Sequence, residues 1–232
     1  MKLTERERQI MDILKSKRYE SVSKLARATY ISESSIRRDL ARLERLGLVE
    51  RTYGGVSIAG NDTDAPHIAT RITKNARAKR KIAQKAARYL KDGMTVILDG
   101  STTAYNMVDV LAEKKNITLI TNGTYTAQRA IAKGMTVYLT GGRREGGRPV
   151  LTGSYAEETL EKMSADIVFF SSMAMTDDGV ICDCTESENK IRKIMLSRAR
   201  IKILLMDKTK MGKTAQHVLC SKTDVDAVIT DE

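Results

Sequence analysis

Four short polar stretches, each following an apolar run, hold the residues whose types and spacing suit chemistry. They are Asp99-Gly100-Ser101-Thr102-Thr103, Thr121-Asn122-Gly123-Thr124, Thr140-Gly141-Gly142-Arg143-Arg144 and Asp207-Lys208-Thr209-Lys210. Hydroxyls, a side-chain amide and backbone N–H groups at a helix start bind phosphate or carboxylate, and Arg143 and Lys210 add positive charge. Gly123 and the pair Gly141-Gly142 permit close backbone approach to a ligand. Asp99, Asp207 and Glu186 can accept hydrogen bonds from sugar hydroxyls. With Ser101, Thr102, Thr103, Thr121 and Asn122 they form the donor and acceptor set that a small polyhydroxylated anion requires. Each turn taken singly also reads as an ordinary helix cap. Neither a Walker sequence nor a dinucleotide-binding glycine fingerprint is present.

A second set lies in Ser32 to Gly47, SESSIRRDLARLERLG. Ser32 suits a helix N-cap, Ile36, Leu40 and Leu43 share an apolar face, and Gly47 suits the stop. Ser34, Arg38, Ala41 and Arg45 then point the other way, with Ser35, Arg37 and Arg42 on the shoulders. Small hydroxyls and guanidiniums fit the major groove of double-stranded DNA, where Arg reaches phosphates or pairs with guanine. On an isolated helix such a face is ordinarily just solvated. The flanks argue otherwise. Upstream, Val22, Leu25 and Ala26 mark a short helix, and Ala28 to Ile31 forms a turn-length link. Downstream, Leu48 to Ile58 reads as a hairpin around Gly54-Gly55, a wing that places Arg51 and Tyr53 beside the groove. The DNA-contact candidates are Ser34, Ser35, Arg37, Arg38, Arg42, Arg51 and Tyr53.

The elements that must position these residues follow from periodicity. Leu3 to Lys17 forms a support helix with Ile10, Ile13 and Leu14 inward and Thr4 as its cap. The small polar run from Ala59 to Pro66 signals a linker. This divides the chain into a winged helix-turn-helix over 1–58, a linker over 59–70 and an α/β domain over 71–232. Arg71 to Lys91 holds nine Lys or Arg and no acid, and is either a phosphate-gripping segment or a solvated helix face. Its apolar residues predict a helix running through Leu90 to a stop at Asp92-Gly93. Apolar runs at 95–98, 117–120, 136–139, 167–170, 201–205 and 225–229 predict strands, several of them apolar enough throughout for buried parallel strands. Helices are expected near 104–114, 125–133, 155–163 and 186–199. Repeated βα units make an open α/β sheet, whose ligands sit beyond the carboxyl ends of the strands.

A net charge of +11 favours a polyanionic partner. No apolar run reaches the length of a membrane span and the first residues lack a signal-peptide core, so a cytoplasmic protein without membrane association is expected. Cys182, Cys184 and Cys220 are an odd number with no zinc-ligand spacing, and only His67 and His217 could join them. No metal and no cofactor are expected.

The residues Ser35-Ile36-Arg37-Arg38-Asp39-Leu40, Leu43, Leu46, Gly47 and Arg51 to Gly55 resemble the winged helix of DeoR-type bacterial transcription regulators. Leu98 to Thr103, Thr121-Asn122, Thr140 to Gly142, Gly153, Phe169 to Ser172, Asp178-Gly179, Glu188, Met195 and Asp207 to Lys210 extend the resemblance to the sensor domain of that family. The resemblance implies a sensor domain folded like ribose phosphate isomerase and an effector that is a phosphorylated sugar or related metabolite. It also implies a repressor of a carbohydrate-metabolism operon, working as a homodimer or tetramer. Asp99, Ser101, Thr102, Thr103, Thr121, Asn122 and Lys210 become the effector contacts by that likeness. Many members carry Thr at the position of Ser35, Gly at that of Ser101 and Ser at that of Thr209. The competing reading is a sugar phosphate isomerase-like enzyme with a DNA-binding appendage. Against catalysis, the strand-end turns hold no histidine and no close pair of acids.

Overall fold

A computed structural model describes residues 3–17, 19–52, 55–58, 68–145 and 148–232. The chain forms two compact units that part between Arg71 and Ile72. In the first, α1 (Glu5–Lys17) is followed by β1 (Tyr19–Ser21), α2 (Val22–Thr29), α3 (Glu33–Arg45), β2 (Val49–Thr52) and β3 (Gly55–Ile58). Thr4 and Glu7 start α1 with a reciprocal cap: the Glu7 N–H donates to Thr4 Oγ1 at 3.2 Å, and the Thr4 N–H to Glu7 Oε2 at 2.7 Å. Ile10, Leu14, Leu25, Ile36, Leu40, Leu43, Val49 and Val56 make one core beneath the three helices. The antiparallel wing gains a third strand that apolar patterning does not reveal, in the order β1-β3-β2. Tyr53 and Gly54, and residues 59–67 of the expected linker, lie outside the described residues.

The link between α2 and α3 is shorter than expected, because α2 runs through Thr29. Tyr30 then turns the chain with φ 57°. Its N–H donates to Arg27 O at 3.4 Å and the Ile31 N–H to Ala26 O at 3.0 Å, which closes α2 in the manner usually left to Gly or Asn. The left-handed conformation costs a residue with a Cβ about 1 kcal/mol.

α4 (Ile68–Thr73) spans the boundary, and the second unit continues with α5 (Ala76–Ala86), β4 (Thr95–Leu98), α6 (Met107–Leu111), β5 (Thr118–Thr121), α7 (Thr124–Ala132) and β6 (Thr136–Leu139). It continues through β7 (Arg143–Arg144), β8 (Leu151–Thr152), α8 (Ser154–Glu161), β9 (Ala165–Phe170), β10 (Ala174–Met175), β11 (Val180–Asp183), α9 (Glu186–Ser197), β12 (Ala199–Leu205), β13 (His217–Ser221) and β14 (Ala227–Ile229). Residues 68–70, expected in the linker, are thus helical. The helix of the basic segment stops at Ala86 and tightens into a 3-10 turn over Ala87–Tyr89, short of Asp92-Gly93. The helix expected over 104–114 reduces to a 3-10 turn, Ala104–Asn106, and the five residues of α6.

Six parallel strands form the central sheet in the order β14-β12-β9-β4-β5-β6. Alternate residues feed two cores, as near-continuous apolar strands require when both faces are covered. Val96, Leu98, Leu119, Phe169 and Leu205 meet Ile82 and Ala86 of α5 and Met107 and Leu111 of α6. Ile97, Ile120, Val168, Phe170 and Leu204 meet Leu160 of α8 and Ile191 and Met195 of α9. A small antiparallel sheet, β10-β11-β13, lies on this second side, where Met175, Ile181 and Leu219 join the core. β6 and β14 are the outer strands, and Tyr138 and Leu139 of β6 stand exposed.

The turns after β4 and β5 are packed backbone against backbone. A Cβ on Gly123 would lie 2.7 Å from the Gly100 Cα, and one on Gly100 would lie 2.1 Å from Val150 Cγ1. Both glycines are therefore required by proximity. Gly123→Ala should lower stability by about 1–3 kcal/mol through overpacking. Urea unfolding of the full chain would measure it, and an unchanged midpoint would mean that the two turns separate at no cost.

Candidate functional site

In the N-terminal unit α3 presents Ser34, Arg37 and Arg38 to solvent. Ser32 caps the helix, accepting from the Ser35 N–H at 3.4 Å, and Ser35 is half-buried with its hydroxyl 3.1 Å from Ser32 Oγ. Arg38 donates to Ser35 Oγ at 3.4 Å, and Arg37 pairs with Glu33 at 2.8 Å. Arg42 is less available than its position suggests, since its guanidinium lies 3.1 Å from Glu7 Oε1. Beside that pair runs another of opposite polarity: Arg6 of α1 grips Asp39 of α3 through Nε at 2.5 Å and Nη2 at 2.6 Å. Two crossed ion pairs thus fix the rotation of α3 on α1. A sign was present in the sequence, because Asp39 lies three residues after Ile36 on the buried side and an acid there needs a cation. Arg51 lies on β2 opposite Val56, and Tyr53 is outside the described residues.

In the second unit the strand order reverses direction between β9 and β4, the point at which open α/β sheets form a ligand crevice. Asp99 closes β4 there, and Ser171 and Ser172 follow β9. Arg192 of α9 fills the depth of this region. Its Nε lies 2.9 Å from Asp99 Oδ2, its Nη1 3.0 Å from Asp183 Oδ2 and its Nη2 2.9 Å from Glu188 Oε2. The side chain is 7% exposed. Burial disfavours its charge, but Asp183, Asp99 and Glu188 outweigh that and hold the guanidinium protonated even more firmly than usual. Asp99 also accepts from the Ser101 N–H at 3.2 Å and the Ser171 N–H at 3.4 Å. The carboxylate read as a partner for sugar hydroxyls is therefore already the anchor of its own turn.

Around it the remaining strand-end residues gather. Lys210 donates to Ser171 Oγ at 3.2 Å and Ser172 O at 2.8 Å, which joins the end of β12 to that of β9. Asp207 is buried, accepting from the Thr209 hydroxyl and from Asn75 Nδ2 at 3.4 Å. Ser101 Oγ accepts from the Ala104 N–H at 3.1 Å, and Thr121 Oγ1 from the Gly123 N–H at 3.1 Å. Asn122 donates to Leu151 O at 3.0 Å, while its Oδ1 and the Thr103 Oγ1 are buried without a hydrogen-bond partner among the described residues. Such atoms are costly in isolation and suit a bound polar group. Lys79 of α5, from the basic segment, is buried with its ammonium 3.1 Å from Thr102 Oγ1. It adds a cation where a solvated face was one of the two expectations.

Four of the expected residues lie elsewhere in the unit. Gly141, Gly142 and Arg143 follow the outer strand β6, and Arg143 is exposed and paired with Glu145 at 2.6 Å. Gly142 is needed for shape, since its φ is +101° and a Cβ would lie 2.5 Å from Thr152 O. Glu186 is exposed in the first turn of α9, where Glu188 one half-turn on is buried against Arg192. The short α6 also weakens the helix-dipole argument made for the Asp99 turn, and Lys79 and Lys210 bring positive charge there instead. Replacing Arg192 by Met should cost about 3–5 kcal/mol, because three carboxylates stay buried without their cation. Arg192→Lys should recover little, as an ammonium cannot fork to separate acceptors. Urea denaturation followed by circular dichroism would check both, and a loss under about 1 kcal/mol for Met would show the cluster to be dispensable.

Comparison with known proteins bears on both units. Residues 6–61 match the DeoR-like helix-turn-helix domain and residues 74–232 the DeoR C terminal sensor domain. The HTH-type transcriptional regulator GolR of Listeria innocua is 30% identical, over 98% of this chain and 90% of that one. The transcriptional repressor AccR of Agrobacterium fabrum is 28% identical, over 98% and 89%. The glycerol-3-phosphate regulon repressor of Escherichia coli is 26% identical, over 100% and 92%. Among solved structures, eIF2B delta from Chaetomium thermophilum shares the fold with TM-score 0.52 and 17% identity, over 69% of this chain and 57% of that one. A D-ribose-5-phosphate isomerase in complex with phospho-erythronic acid is similar at TM-score 0.45 and 15% identity, over 59% and 54%. The chain thus spans little more than half of either solved chain. Matched over both its helix-turn-helix and its sensor domain, this chain belongs to the DeoR family of transcription regulators.

Proposed function

We propose that this protein is an effector-controlled DNA-binding repressor of a carbohydrate-metabolism operon, and not an enzyme. The observation that carries this reading is the match of one chain, over nearly its whole length, to proteins named as transcription regulators and repressors. Exposed Ser34, Arg37 and Arg38 supply the DNA-facing chemistry, and the protein then acts where the chromosome is, in the cytoplasm. The effector is a phosphorylated sugar or a related metabolite. Lys79 and Lys210 meet its phosphate, while Thr103 Oγ1 and Asn122 Oδ1, buried without partners among the described residues, meet its polar groups. A catalytic reading would need a free acid in the crevice, and Asp99 is bound to Arg192.

Control requires only that the effector bind two arrangements with different affinity. A homo-oligomer reading two half-sites about one helical turn apart loses affinity when its reading heads are re-spaced. Fluorescence anisotropy on duplex DNA from the protein's own upstream region, titrated with sugar phosphates, tests the proposal. We expect tight binding that weakens steeply with salt and is released by one compound of the panel. Arg38→Ala should weaken binding and reduce the salt slope by about one. Lys210→Met should blunt the effector response while leaving DNA affinity in its absence unchanged. Salt-independent binding would refute the arginine assignment, and turnover of a sugar phosphate by the purified protein would overturn the non-enzymatic reading.

A further inference from the structure

Tyr30 combines two properties that folding does not explain. Its backbone is left-handed, with φ 57°, a conformation that is a genuine outlier for a bulky residue. The residue is 97% exposed, so the ring is used neither in the core nor in covering it. The hydrogen bonds that close α2 here run from the Tyr30 and Ile31 N–H groups to Arg27 O and Ala26 O, and use the backbone alone. Gly or Asn would make them with less strain. A strained position that carries a large side chain into solvent is a reason to look for a partner.

The position names the partner. Tyr30 stands two residues before Ser32, the N-cap of α3, at the end of that helix where Ser34 is exposed. When a helix-turn-helix docks, the N-terminal end of its second helix enters the major groove, and the chain leading into it passes the flanking sugar–phosphate backbone. We propose that Tyr30 is a DNA-backbone contact, its hydroxyl donating to a phosphate oxygen and its ring lying against the adjoining deoxyribose. The contact positions the protein on duplex DNA without reading bases. This rests on the DNA-binding function proposed above.

The test compares wild type, Tyr30→Asn and Tyr30→Phe on the upstream duplex and on an unrelated duplex, at two salt concentrations, with thermal midpoints measured alongside. Tyr30→Asn should melt at the same temperature or higher, since Asn tolerates the left-handed backbone. It should nevertheless bind both duplexes about tenfold more weakly, the scale of one hydrogen bond to a charged group. The salt slope should not change, because a neutral phenol displaces no counterion. Tyr30→Phe, which keeps the ring, should fall between the two. Wild-type affinity in a Tyr30→Asn protein whose parent binds tightly would overturn this inference alone. A loss confined to the upstream duplex would replace the backbone contact with base reading and overturn it too. A parent that binds neither duplex would overturn it together with the regulator reading.

Discussion

One guanidinium organises the sensor unit. Arg192 is the shared partner of Asp99, Asp183 and Glu188, which come from the end of β4, the end of β11 and the same helix one turn earlier. An uncompensated charge could not be kept at that depth. Three carboxylates exceed one cation, and the surplus is spread over neighbouring dipoles: the Ser101 and Ser171 N–H groups on Asp99, the Cys184 N–H on Asp183 at 2.7 Å and the Ser172 hydroxyl near it at 3.4 Å. The knot joins the central sheet to the helix and the small sheet on its second face. Through Asp99, Arg192 holds in place the turn after β4 and the backbone of Ser171 after β9.

The N-terminal unit solves a similar problem at a shallower depth. There Arg6–Asp39 and Glu7–Arg42 link α1 to α3 with opposite polarity, so that sliding α3 by a turn would bring unlike partners out of register. Arg6 is half-exposed, and its guanidinium is held above its ordinary range by the Asp39 hydrogen bond and charge. The exposed member makes these pairs weaker than the buried knot. Their service is geometric: they orient the face bearing Ser34, Arg37 and Arg38.

How much could be read beforehand depended on the range of the cause. The strands at 95–98 and 136–139 and the caps at Thr4 and Ser32 follow from local pattern, and the structure has them at those residues. β10, β11 and β13 were not legible, since two to five residues of mixed polarity become strands only when paired with one another. The strand-end vocabulary drew attention to Asp99 and Lys210, yet not to what holds them. Of the Arg192 partners Glu188 and Asn189 are near in sequence; Asp99 and Asp183 are brought by the fold. Lys79 was hidden among eight other cations of its segment, and burial, which alone sets it apart, is a tertiary property.

The limits of the central sheet carry a separate consequence. Its outer strands are short, three residues in β14 and four in β6, and among the described residues each leaves a row of backbone groups with no strand paired on one side. Such an edge is a template on which another extended chain can add, and its hold grows with length and with apolar cover. β14 offers little of either. β6, with Tyr138 and Leu139 exposed, is the flank on which this fold is least protected against aggregation.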